Sequence, residues 1–236
     1  MLAHINLQQV LFLDIETVPQ YQNFEEMPEH LQKLWDKKSS GIRKETSVEE
    51  FYNKAGIWAE FGKIVCISIA RIKFDSNTPQ LRIKSFFGSD EKEILTQFLE
   101  ILNKLPQKVL LCAHNGKEFD FPYICRRLLI NALPIPSILN ITGKKPWEIN
   151  HLDTLELWRF GDFKHYISLD LLANILGIES PKAMVDGSMV KDLFYLEKDL
   201  EKIVNYCQLD VQTIAQILLK LKGKALIKDE DVEIVK

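Results

Sequence analysis

Three groups of residues carry the chemistry legible in this sequence. Asp14-Ile15-Glu16 follows the apolar run Val10-Leu11-Phe12-Leu13. Side chains alternate along a strand, so Asp14 and Glu16 share one face while Ile15 turns to the other. Two carboxylates on one face repel unless a cation bridges them, which points to a hard-metal site; the alternative is a solvated pair at a strand end. The second group is His114-Asn115-Gly116-Lys117-Glu118-Phe119-Asp120-Phe121-Pro122, just past the short apolar run Val109 to Ala113. Asn115-Gly116 supplies a tight turn and Asp120-Phe121-Pro122 opens a helix, which places Asp120 at a helix start, either as an N-cap or as a further ligand. Strand ends are where open α/β sheets bind ligands, and both acids fall there. The third is Tyr206-Cys207-Gln208-Leu209-Asp210 within a long helical pattern. A spacing of four sets Tyr206 and Asp210 on one helix face, whether at a site or on an ordinary half-exposed surface.

The elements that must position these groups follow from the hydrophobic pattern. Val10 to Leu13 reads as a buried central strand ending at Asp14. Lys63 to Ile72 and Leu81 to Phe87 read as a hairpin across Asp75-Ser76-Asn77-Thr78-Pro79. Ser89-Asp90 then precedes a helix from Glu91 to Leu105, Val109 to Ala113 forms another strand, and Phe121 to Leu133 resumes helical spacing. Strands, then a helix crossing back to a strand, is an α/β order. From Leu169 onward the chain reads as helices, one stopping at Gly177 and the longest running from Leu200 to Leu221. Residues 19–62 are rich in Glu, Lys and Gln and read as a helical insertion that either covers a cleft or recruits a partner. With no repeat or linker, residues 1–222 are expected to form one domain, and residues 223–236 a charged tail that frays.

The motif set DIET, HNGKEFDFP and YCQLD, in that order, resembles the DEDD 3′-5′ exonucleases of the DnaQ-like, ribonuclease H-like superfamily. Tyr206, four residues before Asp210, matches the DEDDy branch, which includes polymerase proofreading domains and the RNase D group. With Asp186-Gly187-Ser188 upstream, the wording is most similar to bacterial predicted exonucleases related to the exonuclease domain of family B polymerases. The resemblance implies a ribonuclease H-like fold, a mixed five-stranded sheet flanked by helices. It implies that Asp14, Glu16, Asp120 and Asp210 ligate metal and that Tyr206 positions a water. All five motif slots hold the expected residue type, which favours an enzyme over a non-catalytic binding module on the same fold.

Carboxylate-only ligation is a hard oxygen set suited to two Mg²⁺ or Mn²⁺ ions. Thr17, Asn115 and Phe119 are candidates to hold a terminal nucleotide, with Phe119 equally readable as core. Between residues 104 and 145, Lys104, Lys108, Lys117, Arg126, Arg127, Lys144 and Lys145 face only Glu118 and Asp120, so Lys117, Arg126 and Arg127 are candidates to track a phosphate backbone. His151-Leu152-Asp153-Thr154 reads as the start of a further strand and as structural, with Asp153 a minor alternative contact. The expected partner is a single-stranded 3′ end, DNA favoured over RNA.

The whole-chain net charge of −3, from 30 basic and 33 acidic residues, argues against binding through bulk positive charge but averages over an acidic site. A chain of 236 residues leaves no room for a polymerase domain, so a polymerase or repair partner would act in trans. Cys66, Cys112, Cys125 and Cys207 show no CxxC pair and suit core positions in a reducing cytoplasm, with Cys207 a reporter of oxidation beside Tyr206. No stretch approaches eighteen consecutive apolar residues, so no membrane is expected.

Overall fold

The apolar run at Val10 opens β1 (Val10–Pro19), the centre of the sheet, in the computed structural model, which describes residues 2–75, 78–178 and 187–235. The strand runs past the expected end at Asp14. β2 (Gly62–Asp75) pairs with it antiparallel from Phe12↔Ala70 to Pro19↔Gly62, so Asp14 and Glu16 stand mid-strand, opposite Ser68 and Cys66. Between them lie α1 (Glu29–Ser39) and α2 (Val48–Tyr52), in the segment expected to be a helical insertion. β3 (Thr78–Phe87) completes the hairpin in a register running to Asp75↔Thr78; Ser76 and Asn77 of the expected turn lie outside the described residues.

α3 (Glu91–Leu102) begins where the Asp90 carboxylate accepts the N–H groups of Lys92 and Glu93, satisfying two amides that the first helical turn leaves unpaired. It crosses back to β4 (Leu110–Ala113), parallel to β1. α4 (Asp120–Ile130) leads to β5 (Leu152–Asp153), parallel to β4, and then to α5 (Thr154–Arg159), α6 (Leu169–Ile175), the single turn α7 (Val190–Asp192) and α8 (Leu200–Leu221).

The sheet is mixed, as expected of a ribonuclease H-like fold, but among the described residues it has six strands rather than five, β5-β4-β1-β2-β3 followed by a further edge strand. The sixth, β6 (Val232–Val235), is the tail that the sequence suggested would fray. It pairs parallel to β3 from Leu81↔Val232 to Lys84↔Val235. The approach is anchored by Gln216, whose amide donates to the Ile227 carbonyl at 2.6 Å and accepts its N–H at 3.0 Å. Val232 and Ile234 alternate with Glu233, a strand pattern hidden by the preceding Asp229-Glu230-Asp231.

Alternation along β1 divides the core. Leu11, Leu13 and Ile15 face α3 and α4, where Ile94, Leu95, Phe98, Phe121 and Ile124 bury them. Val10 and Phe12 face the other way, onto Val211, Ile214 and Leu218 of α8, and Val18 meets Ile203 and Cys207 of the same helix. In the row Val10, Phe12, Asp14, Glu16, Val18, two carboxylates thus interrupt an apolar face beneath a helix. A hydrophobic core puts charge there only where something compensates it.

The insertion carries its own aromatic centre. Trp35 is fully buried, and its ring lies 5.1–5.9 Å from those of Phe51, Tyr52, Trp58 and Phe61. Two glycines let it close against the end of β1. A Cβ on Gly62 would stand 2.3 Å from the Tyr123 hydroxyl and 2.7 Å from the Gly56 carbonyl, and one on Gly56 would stand 3.1 Å from the Val18 backbone.

Candidate active site

The four carboxylates are delivered by three elements. Asp14 and Glu16 come from β1. Asp120 is the first residue of α4; it does not cap the helix but turns to β1, where its carboxylate accepts the N–H of Ile15 as well as its own. Asp210 comes from α8, with Tyr206 one turn earlier donating its hydroxyl to it. Cys207 lies between them, and its thiol reaches the Asp14 carboxylate at 3.4 Å and the Asp14 carbonyl at 3.5 Å.

Ligand atoms of Asp14, Glu16 and Cys207 lie within 4.8 Å of one another. Asp120 and Asp210 stand farther out, yet close enough for their charges to act on both β1 acids. Burial first, then the Asp210 charge, holds the carboxyls of Asp14 and Glu16 well above the usual range. Burial pushes Asp120 up to about 8, against the two N–H bonds it accepts. Asp210 rises to about 7 through burial and the neighbouring Asp170, with the Tyr206 hydroxyl opposing the shift. Four carboxyls that resist ionisation together require protons or cations, and their oxygens suit a hard divalent ion. The Cys207 thiol is itself pushed up by burial, so it serves Asp14 as a donor rather than as a thiolate. Burial and the charge of Asp210 also drive the Tyr206 phenol far above its ordinary value, which keeps its proton available for donation.

Beside Glu16 opens a cleft of about 520 Å³. Thr17 and Phe119 line one side, Asn53, Lys54 and Ile57 of the insertion another, and Gly187, Ser188 and Lys191 a third. Lys191 donates to the Asn53 side chain, joining two of these walls. Asp186, next to Gly187, lies outside the described residues. Thr17 lies beside Tyr123, whose hydroxyl donates to the Gly56 carbonyl at 2.7 Å. Phe119 packs on the core 5.3 Å from the Tyr123 ring and also lines the cleft.

Asn115 adopts φ +61°, and its N–H goes to Asp153 at 2.9 Å. Asp153 also accepts the N–H groups of Lys117, Leu155 and Glu156, so its structural role is to fix the Asn115-Gly116-Lys117 turn and start α5. The basic track is thinner than its sequence. Lys117 is internalised on Glu156 at 2.7 Å, with 8% of its side chain exposed. Arg127, expected to track a phosphate backbone, is buried and ion-paired with Glu91 through both ends of its guanidinium, with a third bond to the Ala59 carbonyl at 2.8 Å. With four of its five N–H groups engaged and only 5% of its side chain exposed, Arg127 is not presented to a phosphate, which removes it from the track. Arg126, Lys104, Lys108, Lys144 and Lys145 remain exposed. Asp170, in the first turn of α6, is the residue the sequence reading missed; no motif or spacing marks it, and only the fold brings it beside Asp210 and Tyr206.

Residues 57–226 match a family described as a predicted 3′-5′ exonuclease related to the exonuclease domain of PolB. The matched span contains Asp120, Tyr206 and Asp210 but begins after Asp14 and Glu16, which β1 adds from outside it. In structure the chain is similar to the family B DNA polymerase of the hyperthermophilic archaeon Pyrobaculum calidifontis, with a TM-score of 0.54 and 14% identity over 89% of this chain. It spans 24% of that polymerase's length, and the likeness is one of fold. No curated protein matches the sequence. Among the described residues, no helix is long and apolar enough to cross a membrane.

Proposed function

Because this chain belongs to the family of predicted 3′-5′ exonucleases related to the exonuclease domain of PolB, we propose that it hydrolyses phosphodiester bonds from the 3′ end of single-stranded or frayed DNA with the help of divalent cations. The observation that supports this reading is the convergence of Asp14 and Glu16 from a central strand, Asp120 from a helix start and Asp210 from a long helix that also carries Tyr206, in one mutually interacting acidic cluster whose Glu16 lines the neighbouring cleft.

Asp14, Glu16, Asp120 and Asp210 would hold two Mg²⁺ or Mn²⁺ ions, whose oxygen preference their carboxylates meet. Such a pair supplies a nucleophilic water at neutral pH and neutralises the charge on the departing 3′ oxygen. The protein's own groups perform the remaining tasks. Tyr206 keeps its proton, which rests on Asp210 in the metal-free site and would turn to a water or a phosphate oxygen once cations occupy that carboxylate. The Asp210 carboxylate holds that phenol in place. Cys207 fixes the Asp14 rotamer from below. Thr17 and Phe119 border a cleft with room for the terminal nucleotide, and Phe119 offers a ring face to a base.

5′-labelled DNA and RNA oligonucleotides of matched sequence test the reading. Shortening in single-nucleotide steps from the 3′ end, dependent on Mg²⁺ or Mn²⁺, faster on DNA and abolished by Asp14→Ala, is expected. Failure to shorten either oligonucleotide with both ions present overturns it.

A further inference from the structure

The loop joining α5 to α6 exposes three aromatic rings in seven residues. Phe160 is 75% exposed, Phe163 81% and Tyr166 65%. Residues 160–166 read Phe-Gly-Asp-Phe-Lys-His-Tyr, so every large apolar group the loop offers to solvent is a ring and none is aliphatic. The basic residues Lys164 and His165 are interleaved with the rings and exposed. The single acid, Asp162, turns its carboxylate back to the Lys164 N–H at 3.2 Å.

The loop is built rather than slack. Phe160 at φ +48° and Gly161 at φ +92° end α5 in the left-handed region and throw the chain outward. Arg159 holds the far side of the loop, donating to the His165 carbonyl at 2.6 Å. His114, at the start of the second motif, bonds the Ile167 carbonyl at 2.9 Å and Thr154 at 2.9 Å. Ser168 then caps α6, whose Asp170 acts on Asp210 and Tyr206. Tyr166 is four residues from Asp170, at most about 14 Å of extended chain. Tyr166 therefore stands a few nucleotides at most from the residue that acts on Asp210 and Tyr206, and Phe163 and Phe160 share its loop.

We propose that Phe160, Phe163 and Tyr166 form a stacking platform for the bases of single-stranded nucleic acid upstream of its 3′ end. The class of ligand rests on the nuclease reading above; the platform itself rests on the loop. Ring faces with an interleaved lysine suit a polyanion whose every unit carries a π-face, and a greasy protein or lipid partner would be met as well by leucines. Stacking is indifferent to sequence, so the platform holds any strand while its end is processed.

Binding of a labelled 20-nucleotide oligothymidylate is measured by fluorescence anisotropy in the Asp14→Ala background, where the strand is not consumed. Stacking contributes about tenfold per base, so Phe160→Ala/Phe163→Ala/Tyr166→Ala raises Kd by about a hundredfold or more. Phe163→Trp retains the affinity and reports binding by quenching, while Phe163→Leu loses about tenfold. With the four acids intact, hydrolysis of the p-nitrophenyl ester of thymidine 5′-monophosphate, too short to reach the loop, is unchanged by the triple substitution. A triple variant binding within twofold of its parent overturns the platform. So does a Phe163→Leu variant that binds as tightly as Phe163→Trp, which marks the patch as a docking surface for an apolar partner. If the parent fails to cleave ester and oligonucleotide alike but strand binding still depends on the rings, the platform stands and the nuclease reading falls.

Discussion

At the scale of single residues, the site depends on hydrogen bonds that decide which groups carry protons. Tyr206 and Asp210 show this within one helical turn. Burial and Asp170 push the Asp210 carboxyl up to about 7, and the phenol opposes that shift by donating to the ionised form. Tyr206→Phe removes the donor and leaves the ring. Asp210 then ionises at higher pH, so half-maximal Mn²⁺ binding, followed by calorimetry across a pH series, moves upward. Turnover on oligonucleotides falls by about a hundredfold, in the range of a positioned proton donor, with KM little changed. Unchanged turnover together with an unmoved pH midpoint would show that the phenol is only packing. This coupling was half legible in the sequence: a spacing of four puts the two residues on one face, but the contribution of Asp170 depends on how α6 docks against α8.

Among elements, the buried Glu91–Arg127 pair is the joint between the insertion, the sheet and two helices. The Glu91 carboxylate accepts Ile64 N–H at 2.7 Å and Asn131 Nδ2 at 2.8 Å besides the Arg127 guanidinium, which in turn holds the Ala59 carbonyl. Removing one member leaves an uncompensated buried charge, so Arg127→Ala costs about 3–5 kcal/mol, read as a lower midpoint in urea unfolding. A single-stranded oligonucleotide binds the folded variant with unaltered salt dependence, because this arginine holds no phosphate. Local sequence cannot distinguish a buried arginine from the exposed one beside it. Arg126 and Arg127 are adjacent, and the pitch of α4 alone sends one to solvent and the other inward. Elements fixed by a long internal pattern were legible in full, as α8 from Leu200 to Leu221 shows. β6 was not, because a four-residue strand at a sheet edge has too few alternations to outweigh the charged residues before it.

For the whole molecule, the acids occupy a place that a stable core would give to valine or leucine. They lie in the row between Phe12 and Val18, beneath α8. Their presence was legible from the motifs; their cost was not, since burial arises only when the helix closes over the strand. Asp120 is pushed up to about 8 and Asp210 to about 7 from a usual 3.8. A carboxyl raised in the folded state binds its proton more tightly there than in the unfolded chain. Its contribution is complete below about pH 4 and is lost as pH rises through 7 and 8. The metal-free protein is therefore expected to melt at progressively lower temperature from pH 5 to pH 8, by roughly 2–4 °C for each kcal/mol lost in a chain of this size. Divalent cations act in the opposite direction. On the proposed reading they bind the ionised carboxylates of the folded state, and at a hundred times Kd they would add about 2.7 kcal/mol. Protons compete for the same oxygens, so Mn²⁺ raises Tm more at pH 8 than at pH 6. Asp120→Asn removes one titrating group, so the metal-free melting curve becomes less dependent on pH and the Mn²⁺ gain shrinks. Calorimetric melts of both proteins at the two pH values, with EDTA and with Mn²⁺, decide the matter; a pH-independent Tm with no response to Mn²⁺ would mean that these four carboxylates neither share their charge nor take up a cation.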